Sequence, residues 1–193
     1  MRRLIGMAAA LVALGSPALA QSAPPLRQGF TVSFGLGAGS AGFSYEGNSS
    51  DRLTGPSGYL RLGGAVRQNL IIAGETHGWV RSEGSVTSRV GYLMAVAQWY
   101  PQAFGGFHLI GGVGMGALNE EDTDPAAGYT LESVGGALEL GAGYDWRVAH
   151  NFSLTPYANF LAMGGGEPKF NGSGVGGSLS ANVLQIGLGF SWH

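Results

Sequence analysis

Leu184-Gln185-Ile186-Gly187-Leu188-Gly189-Phe190-Ser191-Trp192 is the stretch that decides the fold. Large apolar residues take every second place, and glutamine, glycine and serine fill the places between. A period of two belongs to a β-strand, whose successive side chains point to opposite faces. One face is therefore bulky and apolar, the other small and polar. In a soluble sandwich the bulky face turns into a core, whereas in a membrane barrel it turns out to lipid. One strand does not choose between the two.

Working outward, the same alternation recurs at regular intervals. Phe30-Thr31-Val32-Ser33-Phe34-Gly35-Leu36-Gly37 places Phe30, Val32, Phe34 and Leu36 on one face and hydroxyls and glycines on the other. Further strands are expected at about Gly58 to Val66, Leu70 to Val80, Ser88 to Tyr100, Gly106 to Ala117, Ser133 to Trp146, Phe152 to Met163 and Leu179 to Trp192. The connections alternate in length. Arg67-Gln68-Asn69, Pro101 to Gly105 and Arg147 to Asn151 are tight, whereas Asp51 to Ser57, Glu120 to Gly128 and Gly164 to Ser178 are longer. An even number of antiparallel strands with short turns on one side and long loops on the other is the layout of a transmembrane barrel. Many of the strands reach the roughly 9–11 residues that a tilted strand needs to cross a bilayer. The expected fold is all-β: an eight-stranded antiparallel up-and-down transmembrane β-barrel.

The start of the chain predicts export. Arg2 and Arg3 precede an apolar run from Leu4 to Leu14, and Ala18-Leu19-Ala20 follows, so residues 1–20 read as a signal peptide cleaved between Ala20 and Gln21. Residues 21–28 are then a short periplasmic segment, and residues 29–193 are the barrel. The 193-residue chain has no cysteine, which excludes a lipoprotein anchor, disulfides and thiolate metal sites. It has 36 glycines and only 11% charged residues, yet no apolar run of helical membrane length after Gln21. A formal charge of −2 with scattered basic residues excludes nucleic acid as a partner.

The C-terminal pattern Leu184, Ile186, Leu188, Phe190 and Trp192 resembles the insertion signal of bacterial outer-membrane barrels. Gln98-Trp99-Tyr100-Pro101 followed by Gly105-Gly106-Phe107-His108-Leu109-Ile110-Gly111-Gly112-Val113-Gly114 is similar to the outer-membrane β-barrel domain family, which includes small OmpA- and OmpX-type barrels. The resemblance implies a place in the bacterial outer membrane and assembly by the barrel-assembly machinery. Its other implied partners are outer-membrane lipid and lipopolysaccharide.

Inside such a barrel every strand N–H and C=O pairs with a neighbour, and eight strands leave a lumen that side chains fill. Inward glycines are expected at Gly35, Gly37, Gly112, Gly114, Gly141 and Gly143, around a polar plug. Arg61 lies between Leu60 and Leu62, Glu139 between Leu138 and Leu140, and Glu75 between Gly74 and Thr76. Alternation turns all three inward, because a basic residue facing lipid at mid-depth costs about 2–4 kcal/mol. Arg61 is expected to pair with Glu75 or Glu139. Tyr92, Trp99, Tyr100, Phe107, Tyr144, Trp146, Phe152, Phe190 and Trp192 read as an aromatic girdle on the short-turn side, with Trp79 at the opposite interface.

Motifs for chemistry are weak. Gly37-Ala38-Gly39-Ser40-Ala41-Gly42 has dinucleotide-loop spacing, but no helix follows to hold a pyrophosphate. His77, His108, His150 and His193 form no ligand spacing on any one element, so no metal site and no cofactor are expected. His150-Asn151-Phe152-Ser153 has the wrong spacing for a lipid A deacylase, and no catalytic residues are assigned. Glu120-Glu121-Asp122-Thr123-Asp124 is an acidic loop suited to solvent or to cation bridging to lipopolysaccharide. The expected function is a structural or surface-interaction role through the extracellular loops. The alternatives are a narrow channel for small or apolar solutes and a soluble lipocalin-like binding barrel with its large residues inward.

Overall fold

Alternating sequence becomes hydrogen-bonded wall in twelve strands: β1 (Gly29–Tyr45), β2 (Asn48–Ser49), β3 (Leu53–Arg67), β4 (Leu70–Glu83), β5 (Val86–Trp99), β6 (Phe107–Asp122), β7 (Tyr129–Tyr144), β8 (Trp146–Ala149), β9 (Phe152–Gly166), β10 (Lys169–Phe170), β11 (Ser173–Gly174) and β12 (Leu179–Trp192). The structure is a computed structural model and describes residues 27–126 and 128–192. The expected leader, its expected Ala20–Gln21 cleavage site and His193 lie outside those residues.

Eight long strands pair antiparallel in the order β1-β3-β4-β5-β6-β7-β9-β12. The wall closes where β12 returns to β1, in register from Val32 opposite Trp192 to Tyr45 opposite Leu179. Closure removes both sheet edges, which a bilayer requires because it offers no water to a free backbone group. The short β2, β8, β10 and β11 form hairpins at the rims.

The parity of the strands puts the large residues outside. Leu36 is 74% exposed, Leu140 69% and Leu93 63%, and Phe34, Leu138, Ile186 and Leu188 share their outward face. A soluble protein does not leave so continuous an apolar surface wet. It encircles the barrel and is a lipid belt. On β5 the belt runs from Arg89 to Trp99, about the 9–11 residues of a tilted crossing. Arg89, Asn119 and Glu132 mark its loop-side limit at one level, since Arg89 pairs with Asn119 and Asn119 with Glu132. At the opposite limit Trp99, Phe107, Tyr144, Trp146, Phe152 and Trp192 are exposed and form the girdle.

Four expectations need correction. The strands run past the belt on the loop side: Leu53–Ser57 belongs to β3, Glu120–Asp122 to β6 and Tyr129–Leu131 to β7. The loops are correspondingly shorter, because paired strands keep their backbone bonds in water as well as in lipid. Tyr92 and Tyr100 are not in the girdle but buried in the lumen; Tyr92 shares the inward parity of Met94, Val96 and Gln98. Trp79 is 3% exposed, inside the barrel on the same face as Glu75 and His77, and donates its indole N–H to the Gly39 carbonyl at 2.9 Å. The lumen is also not polar throughout. Its loop-side half is packed with Ala41, Trp79, Val90, Leu118, Leu161, Met163 and Val183, so the polar filling is concentrated in the middle and the short-turn half.

Inward glycines make room for this filling. A Cβ on Gly35 would run into the Tyr59 ring and lie 2.7 Å from that of Tyr157. One on Gly141 would run into Asn159 Oδ1.

Candidate functional site

Three elements bring charge to the middle of the lumen. β3 supplies Arg61, β4 supplies Glu75 and His77 two residues apart on one face, and β7 supplies Glu139 from across the barrel. Arg61 and Glu75 are register partners. The guanidinium donates from Nε to Glu75 Oε2 at 2.7 Å and from Nη2 to Oε1 at 2.9 Å, a two-pronged pair that is buried on both sides. Its Nη1 donates to Gln98 Oε1 at 3.1 Å.

Glu139 does not reach Arg61's bonding face. Its Oε2 lies 3.3 Å from His77 Nε2, which is also 3.0 Å from Glu75 Oε1. The far side of the imidazole is held by Gln185, whose Oε1 accepts from Nδ1 at 3.0 Å. Glu75, His77 and Glu139 each offer one donor atom, all within 4.8 Å of one another. Histidine spacing within single elements does not reveal this cluster, because its members come from two strands. A signal is nonetheless present in the sequence: Glu75 and His77 differ by two positions on a strand, hence share a face, and Glu139 lies on an inward parity.

A hydrogen-bond chain descends from this cluster to the short-turn rim. Gln98 Nε2 donates to Tyr100 Oη at 2.6 Å, and Tyr100 donates to Asp145 Oδ2 at 2.7 Å. Thr155 donates to Asp145 Oδ1 at 2.9 Å. Arg27 closes the rim by donating to the carbonyls of Ala103 and Gly105 at 2.8 and 2.7 Å, with its guanidinium 3.4 Å above the Tyr100 ring. His108 lies beside this network, 3.7 Å from Asp145, whereas His150 sits in the exposed β8–β9 turn. The tyrosine and the residue after β7 thus serve the lumen, which parity at a strand end does not reveal.

The loop-side rim has a different character. Phe43, Leu53, Leu118, Leu131 and Leu179 line an open bowl of about 420 Å3, with Ser50, Asp51 and Glu120 at its edge. Above it the strand extensions and the turns between them carry Glu46, Asp51, Glu83, Glu120, Glu121, Asp122, Asp124, Glu132 and Glu167 against Arg52, Arg81, Arg89 and Lys169. The excess is five negative charges among the described residues. Tyr129 donates to Glu120 Oε1 at 2.7 Å, and that bond pushes its phenol up from the usual 10.0 to about 12. The Asp122 carboxyl is held below its usual range by hydrogen bonds from Ser85 and from the Asp124 backbone.

The C-terminal residues Leu184, Ile186, Leu188, Phe190 and Trp192 lie on the lipid face of β12. Phe190 packs on Phe34 of β1 and Phe152 of β9, with ring centroids 5.3 and 5.6 Å apart.

Solved structures share this architecture. Ail, the attachment invasion locus protein of Yersinia pestis, superposes with a TM-score of 0.58 at 13% identity, covering 86% of this chain and 99% of that one. Neisserial surface protein A gives 0.55 at 16% identity, covering 84% and 96%. A second structure of Ail, in complex with the heparin analogue sucrose octasulfate, gives 0.55 at 12% identity, covering 85% and 99%. At these identities the likeness is one of fold. No curated protein matches by sequence. The family model for the autotransporter beta-domain matches residues 71–192, from the second residue of β4 to the last of β12. A lipid belt on a closed antiparallel wall is what that match predicts, and this outer-membrane barrel belongs to the autotransporter beta-domain family.

Proposed function

We propose that the barrel is a scaffold that presents an acidic crown at the bacterial surface, and that its function is a surface interaction with a positively charged partner. The observation that carries this reading is the concentration of carboxylates on the strand extensions and the turns that stand beyond the lipid belt. Hydrogen-bonded β-extensions hold Glu120, Glu121 and Asp122 in a fixed array, so the field of the crown is presented without the entropy cost of ordering a long loop. Export by a cleaved leader and insertion by the assembly machinery belong to the same proposal. The crown also predicts a difference in ligand from the structural relative crystallised with a heparin analogue. A sulfated polysaccharide is repelled by this surface, whereas a basic polypeptide, or lipopolysaccharide phosphates bridged by divalent cations, is attracted.

The test uses the folded barrel in phosphocholine vesicles with polylysine and heparin as probes. Polylysine is expected to bind with an affinity that falls as salt rises, and heparin is not. Replacing Glu120 and Glu121 by glutamine and Asp122 and Asp124 by asparagine should lower polylysine affinity about tenfold or more. Heparin binding, or polylysine binding indifferent to the four substitutions, contradicts the proposal.

A second reading rests on the apolar bowl. Its five large side chains suit a small apolar molecule held at the mouth. Passage onward meets Trp79, Val90 and Leu161, each 3% exposed or less. Binding without conduction is therefore expected, and a solute flux through vesicles carrying the barrel contradicts it.

A further inference from the structure

We propose that Glu75, His77 and Glu139 form a binding site for one divalent transition-metal cation at the centre of the lumen, independent of the surface role of the crown. Three donor atoms converge there: His77 Nε2 is 3.0 Å from Glu75 Oε1 and 3.3 Å from Glu139 Oε2. Ligands held about 2.0 Å from a tetrahedral ion are separated by about 3.3 Å, so these spacings match edges of such a shell.

The second observation is an orphan. Glu139 is 1% exposed, and neither of its carboxylate oxygens accepts a hydrogen bond among the described residues. His77 Nε2 has none either. With Gln185 Oε1 accepting the Nδ1 proton, a neutral imidazole directs its Nε2 lone pair at two carboxylate oxygens. In that state the contacts at 3.0–3.3 Å set lone pair against lone pair, which is repulsive until a proton or a metal cation sits between them.

Charge leads to the same conclusion. At this level Arg61 carries one positive charge and is committed to Glu75 by two hydrogen bonds. The second carboxylate, Glu139, is left without a compensating charge while the imidazole is neutral. A buried uncompensated carboxylate is costly, and a bound cation removes the cost. The supporting contacts are those a metal site requires: Gln185 fixes the histidine tautomer and Arg61 orients Glu75.

One imidazole and two carboxylates favour zinc or a neighbouring first-row ion, with water in the fourth position. Calcium, which takes six to eight oxygens, is disfavoured. Trp79, Leu161 and Val183 pack over the loop side of the cluster, and Tyr100 and Asp145 lie below it. Entry is thus expected as the wall closes during folding, and exchange from the finished barrel is slow.

The experiment refolds the mature chain from urea into detergent with Zn2+, washes the folded barrel with chelator, and measures metal by mass spectrometry. Heat-modifiable gel migration reports folding in the same samples. About one Zn2+ per folded wild-type barrel is expected, with less than about a tenth of that in Glu139→Gln and His77→Gln. Should either variant fail to fold, Co2+ replaces Zn2+ in the wild type, and visible ligand-field absorption that Zn2+ abolishes is the expected result. A folded wild type that retains no Zn2+ and shows no Co2+ spectrum overturns the proposal and assigns the cation to a proton on His77. Equal retention in wild type and both folded variants overturns it as well, placing the metal at the surface.

Discussion

Arg61 and Glu75 face each other across the β3–β4 register and are joined by two hydrogen bonds of 2.7 and 2.9 Å in the middle of a lipid-encircled wall. Leu60 and Leu62, beside Arg61 on the same strand, point to lipid. One strand therefore meets hydrocarbon and ion pair on alternate residues, and the barrel's stability depends on keeping that order.

Breaking the pair from one side should be severe. Arg61→Met leaves Glu75 buried without its partner and is expected to destabilise the barrel by about 3–5 kcal/mol, read from urea unfolding in phosphocholine vesicles. Adding Glu75→Gln to the same chain should recover much of that loss. Equal destabilisation in the single and double variants would show that the guanidinium acts through packing alone.

The lipid belt predicts a depth-dependent cost. Leu93→Arg places a cation at the middle of the β5 crossing and should cost about 2–4 kcal/mol. Val175→Arg, in the exposed segment between β11 and β12, should leave the unfolding midpoint unchanged. A tolerated Leu93→Arg would mean that this face does not meet hydrocarbon.

Glycine substitutions separate the two faces of the wall. Gly35→Ala drives a methyl into the Tyr59 and Tyr157 rings, and overpacking of this kind costs about 1–3 kcal/mol. Gly74 faces outward, and a methyl added there meets nothing within 4 Å, so Gly74→Ala should be neutral or slightly stabilising. The temperature at which the folded gel band disappears reports both.

Titration reaches the crown through Tyr129. Its folded value, about 12, lies above the ordinary 10.0, so the protonated phenol is the favoured form and its bond to Glu120 is intact below pH 10. The contribution is lost as pH rises from 10 towards 12. In ultraviolet difference titration, Tyr129→Phe should remove a phenol midpoint near 12. If the transition lost with Tyr129 lies at the ordinary 10.0, the bond is contradicted.

The wall is legible in the sequence because period two is a steric fact of the strand, and bulky residues on one parity recur from Phe30 to Trp192. The side that faces lipid follows from charge: Glu139 stands between Leu138 and Leu140, so the alternation that sends the leucines out sends the glutamate in. Aromatics are harder to place. Tyr92 and Trp79 suit an interface or a packed lumen equally by composition, and only their parity with Met94 and His77 distinguishes the two. The central cluster is hidden for another reason: its members lie on strands that closure brings face to face, so no spacing along the chain announces Glu139 beside His77. The reach of the strands beyond the belt is obscured because polar residues such as Ser57 and Glu121 look like loop in sequence while their backbones remain paired.

That the barrel is closed with its large residues in lipid is tested most directly by one measurement. Inner and outer membranes are separated from cells making the full chain, and each fraction is run on a detergent gel with and without boiling. Recovery from the outer membrane only with detergent, and faster migration of the unboiled band, is the predicted result. Release by osmotic shock as a soluble protein with no boiling-dependent shift would contradict it and turn the large residues inward.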